Sequence, residues 1–216
     1  MAKGSKTANA KQAMNADLLA LAQEVSVVIP LGPEREEQVK RLLKALDVQT
    51  IQPAEIVVEE GPNAYVNRNR GWRRAAGQIS WFLDSDVVPE PDALEKALQL
   101  FAKANPEGVE GRIYGTISRV FEWGYMSGHI FYTREALEKA GGFDEWFTDW
   151  RGDTDLAWTI LDSGGIILYQ PLSRACHPGP SSTQLNMAAE RRLFEKHPQR
   201  YREARANSYL QCFIHD

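Results

Sequence analysis

The chain has 216 residues, 43% of them apolar, 10% aromatic and 25% charged, enough apolar material for one folded core and one site, which excludes a disordered or collagen-like chain. Lys and Arg number 25 against 29 Asp and Glu, a formal charge of −4. No overall basic field holds a phosphate backbone, so nucleic acid is not expected as the principal partner.

Residues 1–24 mix Ala, Lys, Asn and Gln and read as a tail passing into a helical turn near Leu18, Leu19 and Leu21. No apolar run approaches the roughly 20 residues that span a bilayer, and the first residues lack the apolar stretch of a signal peptide. A cytoplasmic protein without a transmembrane segment is expected. Cys176 and Cys212 lie far apart and form no CxxC pair, so free thiols are expected.

From Val25 the texture changes, and residues 25–216 read as one domain. The β-branched run VSVVI, closed by Pro30, Gly32 and Pro33, predicts a buried strand and a turn. Residues 34–47 place Val39, Leu42, Leu43 and Leu46 at helical spacing, with acids in the first turn. EIVVEEG then predicts a strand, NRNRGWRRAAG a basic helix, and ISWFLDSD a third strand ending in acids. This alternation implies right-handed crossovers, a parallel sheet covered on both faces, and ligands at the strands' carboxyl ends. A helix opened by Pro91 carries Leu94, Ala97, Leu98 and Phe101 on one face. Residues 105–111 (NPEGVEG) read as a loop, and residues 112–132 as strand material broken by Gly115, Gly124 and Gly128. TREALEKAGGFDE and GDTDLAWTILDSGG predict two helices stopped by glycine pairs, GIILYQ a last strand, and residues 182–207 a charged helical tail.

Asp84 and Asp86 end the third strand, where buried carboxylates need a counter-charge. A hard divalent ion such as Mg²⁺ or Mn²⁺ takes oxygen ligands and bridges carboxylates to nucleotide phosphates. The alternative is a pair of turn and helix-capping residues ahead of PEPDAL.

VSVVIP, EIVVEEGPN, NRNRGWRRAAGQISWFLDSDVVPEPDALEKAL, GGFDEWF and GDTDLAW resemble, in order and spacing, the nucleotide-sugar-dependent glycosyltransferases of family two with the GT-A fold. The resemblance covers about residues 25–178. It implies a single α/β domain whose mixed, mainly parallel central sheet is flanked by helices. It also implies transfer of a sugar, with inversion, from a UDP- or GDP-linked donor to a sugar or other hydroxyl acceptor. A divalent ion, Mn²⁺ or Mg²⁺, is the implied cofactor. Asp86 then binds the ion directly, and Asp84 holds the ribose or the metal's water. His177, after the last strand, matches a further metal or diphosphate contact in relatives, the alternative being a structural donor.

The same resemblance puts Pro30 and Gly32 against the base. It sets Glu59 and Glu60 where relatives carry aspartates that accept from a base N–H or a ribose hydroxyl; two solvated acids are the alternative. Arg68, with Asn69 and Gly71, matches an Arg-Asn-x-Gly stretch in which the arginine reaches base or diphosphate, against the exposed face of a basic helix. Inverting transfer needs a carboxylate to take the acceptor's proton. Asp153 stands at the matching helix start, in a run one acid short of the family's Gly-Glu-Asp-x-Asp-Leu, with Asp155 in reserve; both are also ordinary first-turn acids. Trp146 and Trp150 read either as stacking faces for an acceptor sugar or as core. Gly128 falls where relatives bring the donor sugar to the backbone. Two rival readings remain: a nucleotide-sugar pyranose/furanose mutase on the same fold, and a non-catalytic nucleotide-sugar-binding module.

Overall fold

The computed structural model describes residues 15–115, 124–148, 150–178 and 185–212, with side chains as far as residue 206. Part of the strand material expected over 112–132, the first residues of the expected tail helix, and the Cys212 side chain lie outside the described residues.

Residues 15–22 form helix α1, which buries Leu18 and Ala22 against the sheet. Strand β1 (Val25–Leu31) is buried along its whole length, as its unbroken apolar run requires. Helix α2 (Glu36–Asp47) leads to β2 (Glu55–Glu60), and α3 (Ala64–Arg74) leads to β3 (Ile79–Leu83). Both β2 and β3 pair parallel with β1, so β1 lies between them.

After β4 (Val88–Pro89) and α4 (Ala93–Ala104), the sheet continues through β5 (Gly108–Gly115), β6 (His129–Thr133) and β7 (Ile167–His177). The order is β2-β1-β3-β6-β5-β7-β4. β6 runs antiparallel to both β3 and β5, while β7 is parallel to β5 and antiparallel to β4. Helices α5 (Arg134–Ala140), α6 (Gly152–Asp162), α7 (Met187–Lys196) and α8 (Pro198–Cys212) complete the chain.

Period-two alternation divides the core between the two faces. Val25, Val27 and Ile29 of β1 and Ile79, Trp81 and Leu83 of β3 pack with Leu42 and Leu46 of α2 and Leu94, Leu98 and Phe101 of α4. Val28 and Phe82 face the other way, toward Tyr65 and Trp72 of α3, Leu137 of α5 and Leu156 and Ile160 of α6. The fold is therefore a mixed α/β sheet flanked on both faces by helices. Among the described residues, no helix is long and apolar enough to cross a membrane.

Residues 108–111, expected as loop, are instead the buried start of β5. Their glycines make room for neighbours rather than turns. A Cβ at Gly108 would lie 2.7 Å from the Tyr132 ring, and one at Gly111 only 2.1 Å from His129 Cδ2. His129 is fully buried, and that burial lowers its pKa to about 4. The neutral ring accepts from Trp81 Nε1–H at its Nδ1 (3.0 Å) and donates from Nε2 to Ser173 O and Oγ (3.2 and 3.0 Å). β7 likewise runs past its expected end at residue 170 to His177, accommodating Pro171 through an irregularity opposite Gly111 and Arg112.

Candidate active site

Asp84 and Asp86 leave the carboxyl end of β3, and each meets an arginine. The Asp84 N–H donates to Gly128 O at 3.3 Å, and the Val87 N–H donates to Asp84 O at 3.0 Å, which closes the turn. A Cβ on Gly128 would sit 2.9 Å from Asp84 Oδ2, so glycine there lets backbone lie directly on the carboxylate.

Arg68 Nη2 donates to Asp84 Oδ1. The arginine side chain is only 5% exposed, with its guanidinium carbon 5.2 Å from the Tyr65 ring centroid and 5.7 Å from that of Phe143. Its buried Nε has no hydrogen-bond partner. Arg68 is buried because α3 turns it inward. Asn63 Oδ1 caps that helix by accepting from Tyr65 N (2.9 Å) and Val66 N (3.2 Å). Gly71 brings α3 close to β1, where a Cβ would lie 2.4 Å from Val28 Cγ1.

Asp86 Oδ2 accepts from Arg35 Nη1, and Asp86 Oδ1 lies 3.6 Å from His177 Nε2. His177 ends β7 and packs its backbone on Gly115, whose φ is +112°. Among the described residues, no cluster of three His, Cys, Asp or Glu side chains forms a metal cage. A magnesium- or manganese-type site needs none, because such ions take one or two protein carboxylates and complete their shell with phosphate and water. The chemistry and convergence of Asp86 and His177 fit that kind of site.

Asp153 stands in the first turn of α6. Its Oδ1 accepts from Thr154 N at 2.9 Å, and its Oδ2 from Ser127 N at 3.3 Å. Burial pushes the carboxyl above its usual 3.8, against the opposing charge of Arg68. The approach to α6 is tight. Arg151 adopts a left-handed conformation (φ 69°), and a Cβ on Gly152 would lie 2.6 Å from the Tyr65 ring. Glu190 fixes this turn from α7, taking Trp150 Nε1–H and Arg151 Nε–H at 2.6 Å each and the Tyr201 hydroxyl at 2.7 Å.

At the carboxyl ends of β1 and β2 an open cleft of about 390 Å³ is lined by Leu31, Gly32, Pro33, Glu36, Glu60, Gly61 and Pro62. Gly32 and Glu60, expected to contact the base, line this cleft. Pro30 and Glu59 do not. Pro30 is buried within β1, and Glu59 turns toward α3, pairing with Arg74 (3.2 Å) and Arg70 (3.8 Å). Strand alternation sends consecutive residues to opposite faces, so the two glutamates could not share one role. A smaller cavity of about 140 Å³ lies elsewhere, lined by residues such as Glu107, Lys139 and Ser163.

Asp155 and Trp150 are likewise placed in structural roles. Asp155 is buried against Lys196 Nζ (2.7 Å) and His197 Nε2 (3.2 Å), where it joins α6 to the C-terminal helices. Trp150 spends its N–H on Glu190 and packs against the core. Trp146 remains 49% exposed, but the Arg192 guanidinium lies 4.7 Å over its ring, held by Asp144. Sequence reasoning missed Arg35, which looks like any charged residue at a helix start. It also missed Glu190, whose Trp150 and Arg151 partners are about 40 residues distant in the chain.

The sheet order and the acids at the end of β3 define a GT-A-type α/β protein. Residues 58–161, which include Arg68, Asp84, Asp86 and Asp153, match the family described as Glycosyl transferase family 2. Over this stretch, just under half of the chain, it is similar to the family-2-like GT-A glycosyltransferases. No curated protein matches the chain.

Among solved structures, S. aureus TarS is similar at 12% identity and a TM-score of 0.61, over 82% of this chain and 44% of that one. TarS 1-349 in complex with UDP-GlcNAc is similar at 12% identity and a TM-score of 0.64, over 82% and 67% of the respective chains. Mannosyltransferase PcManGT from Pyrobaculum calidifontis, in complex with GDP-Man and Mn²⁺, is similar at 17% identity and a TM-score of 0.61, over 84% and 64%. At these identities the likeness establishes the fold.

Proposed function

We propose that the protein transfers a sugar, with inversion, from a nucleoside diphosphate sugar to an acceptor hydroxyl, in a reaction that depends on a divalent ion. One observation carries the reading: residues 127 and 128 tie the Asp153 carboxylate to Asp84, so an acid suited to be a base lies beside an acidic turn suited to a diphosphate. The nucleotide complexes of the similar structures support the donor class.

In this reading the base and ribose enter the cleft by Gly32 and Glu60, where Glu60 accepts hydrogen bonds. Asp86 and His177 would hold the ion, which when bound would offset the charge that gathers on the departing diphosphate. Arg68 neutralises Asp84, so that two carboxylates do not both repel the diphosphate. Asp153 accepts the acceptor's proton as the new bond to the anomeric carbon forms and the bond to the diphosphate breaks. Burial raises its pKa, which makes it a stronger base than an exposed aspartate. Gly128 brings backbone onto the Asp84 carboxylate, beside which the donor sugar would lie. Trp146 offers a face for an acceptor ring if Arg192 moves aside.

The test is a product assay with UDP- and GDP-linked sugars and Mn²⁺. Release of the nucleoside diphosphate that depends on an added sugar acceptor supports transfer. Formation of an isomeric nucleotide sugar with no diphosphate released would replace transfer by mutase chemistry.

A further inference from the structure

The two acids of the Asp84-Ser85-Asp86 turn carry unlike partners. Arg68 is 5% exposed and lies beside the stacked Tyr65 and Phe143 rings on a helix packed into the core, so it cannot leave Asp84 without emptying a packed slot. Arg35 is 35% exposed and sits on the β1–α2 connection just ahead of α2. Its stem passes over Gly32, with Cδ and Nε each 3.9 Å from where a Cβ would stand there. Gly32, Pro33 and Glu36, which flank Arg35 in the chain, line the 390 Å³ cleft. The head of Arg35 thus reaches from the cleft rim to the carboxylate of Asp86, which also faces His177.

We infer that Arg35 is the removable counter-ion of Asp86, holding the carboxylate until a nucleoside diphosphate enters, then releasing it to a divalent ion and closing on the diphosphate. This rests on the metal site proposed above and deepens it. A guanidinium and a divalent ion compete for one carboxylate, because each repels the other at contact distance. The guanidinium also has a better partner to move to, since its planar fork matches phosphate oxygens in pairs. Arg35 therefore makes the bare site a poor metal binder and makes metal and nucleotide bind cooperatively. By linkage each raises the other's affinity by the same factor.

The experiment is Mn²⁺ titration of the full chain, followed by the paramagnetic resonance of the free ion, without nucleotide and with UDP or GDP. Arg35→Gln should bind Mn²⁺ more tightly than wild type in the absence of nucleotide and lose most of the nucleotide's enhancement. That enhancement should be about 5- to 150-fold in wild type, the usual span of coupling between two sites. Arg35→Lys keeps the charge and loses the fork, so it should still hold the bare ion off while giving a smaller enhancement. Mn²⁺ binding that Asp86→Asn abolishes but Arg35→Gln leaves as in wild type, enhancement included, would overturn the inference alone. Mn²⁺ binding indifferent to Asp86→Asn would overturn the metal site itself and the inference with it.

Discussion

Ser127 donates its backbone N–H to Asp153 Oδ2 at 3.3 Å, and the next residue, Gly128, accepts the Asp84 N–H at the same distance. Two neighbouring residues thus tie the Asp153 carboxylate at the start of α6 to the Asp84 backbone at the end of β3. Arg68 belongs to both environments, as it pairs with Asp84 and its charge opposes the upward push of burial on Asp153.

Asp153→Asn retains the shape of the side chain and removes the proton acceptor. Transfer should fall by about 10²–10⁴-fold, the usual contribution of a positioned base, while nucleotide binding and thermal stability stay near wild type. Steady-state kinetics and a calorimetric nucleotide titration check this; undiminished turnover in the variant would remove Asp153 from the chemistry.

Gly128→Ala tests whether close backbone approach matters at the donor site. Its methyl group would lie 2.9 Å from Asp84 Oδ2 and 3.0 Å from Ile113 Cδ1, so the carboxylate must turn away. Nucleotide affinity should drop while the far-ultraviolet circular dichroism of the fold is preserved. An unchanged affinity would show that Asp84 has no role in the site.

Gly111→Ala addresses the core and not the chemistry. The added methyl group meets the His129 ring at 2.1 Å, and that ring is anchored on Trp81 and Ser173. Destabilisation of about 1–3 kcal/mol or more is expected from overpacking of this kind. Urea unfolding measures it, and a midpoint equal to wild type would contradict the packing described for β5.

His197 gives stability a pH dependence of defined sign. Burial opposes its charge, yet hydrogen bonds to Asp155 and Asp162 outweigh that and hold its pKa above 6.5. A raised folded-state pKa means that this contribution is complete below 6.5 and is lost as pH rises through the folded value. The wild-type melting temperature should therefore decline over that alkaline interval more steeply than that of His197→Gln. Parallel declines would show that the pair with Asp155 does not titrate as described.

Much of this organisation was legible in the sequence because it is local. VSVVI and ISWFL state their burial in unbroken apolar runs, and the helix of residues 36–47 states its face in the spacing of Leu42 and Leu46. The acids after ISWFL could be placed at a strand's carboxyl end for the same reason. What escaped depends on contacts between distant segments. Gly108 and Gly111 signal a loop by composition, and only the rings of Tyr132 and His129 explain them as strand. Asp155 resembles Asp153 as a first-turn acid until Lys196 and His197 claim it. Glu59 and Glu60 are chemically alike, and the strand's pleat separates them. Arg68 looks like one basic residue among several on a helix, and its burial follows from how α3 lies on β1.

The most direct test of the account is calorimetric titration of UDP and GDP into the purified protein, with Mn²⁺ and then with EDTA. The account predicts that one of the two nucleotides binds, that binding requires the metal, and that Asp86→Ala abolishes it. Failure of both nucleotides to bind in either condition, or binding indifferent to Mn²⁺ and to Asp86→Ala, would contradict it.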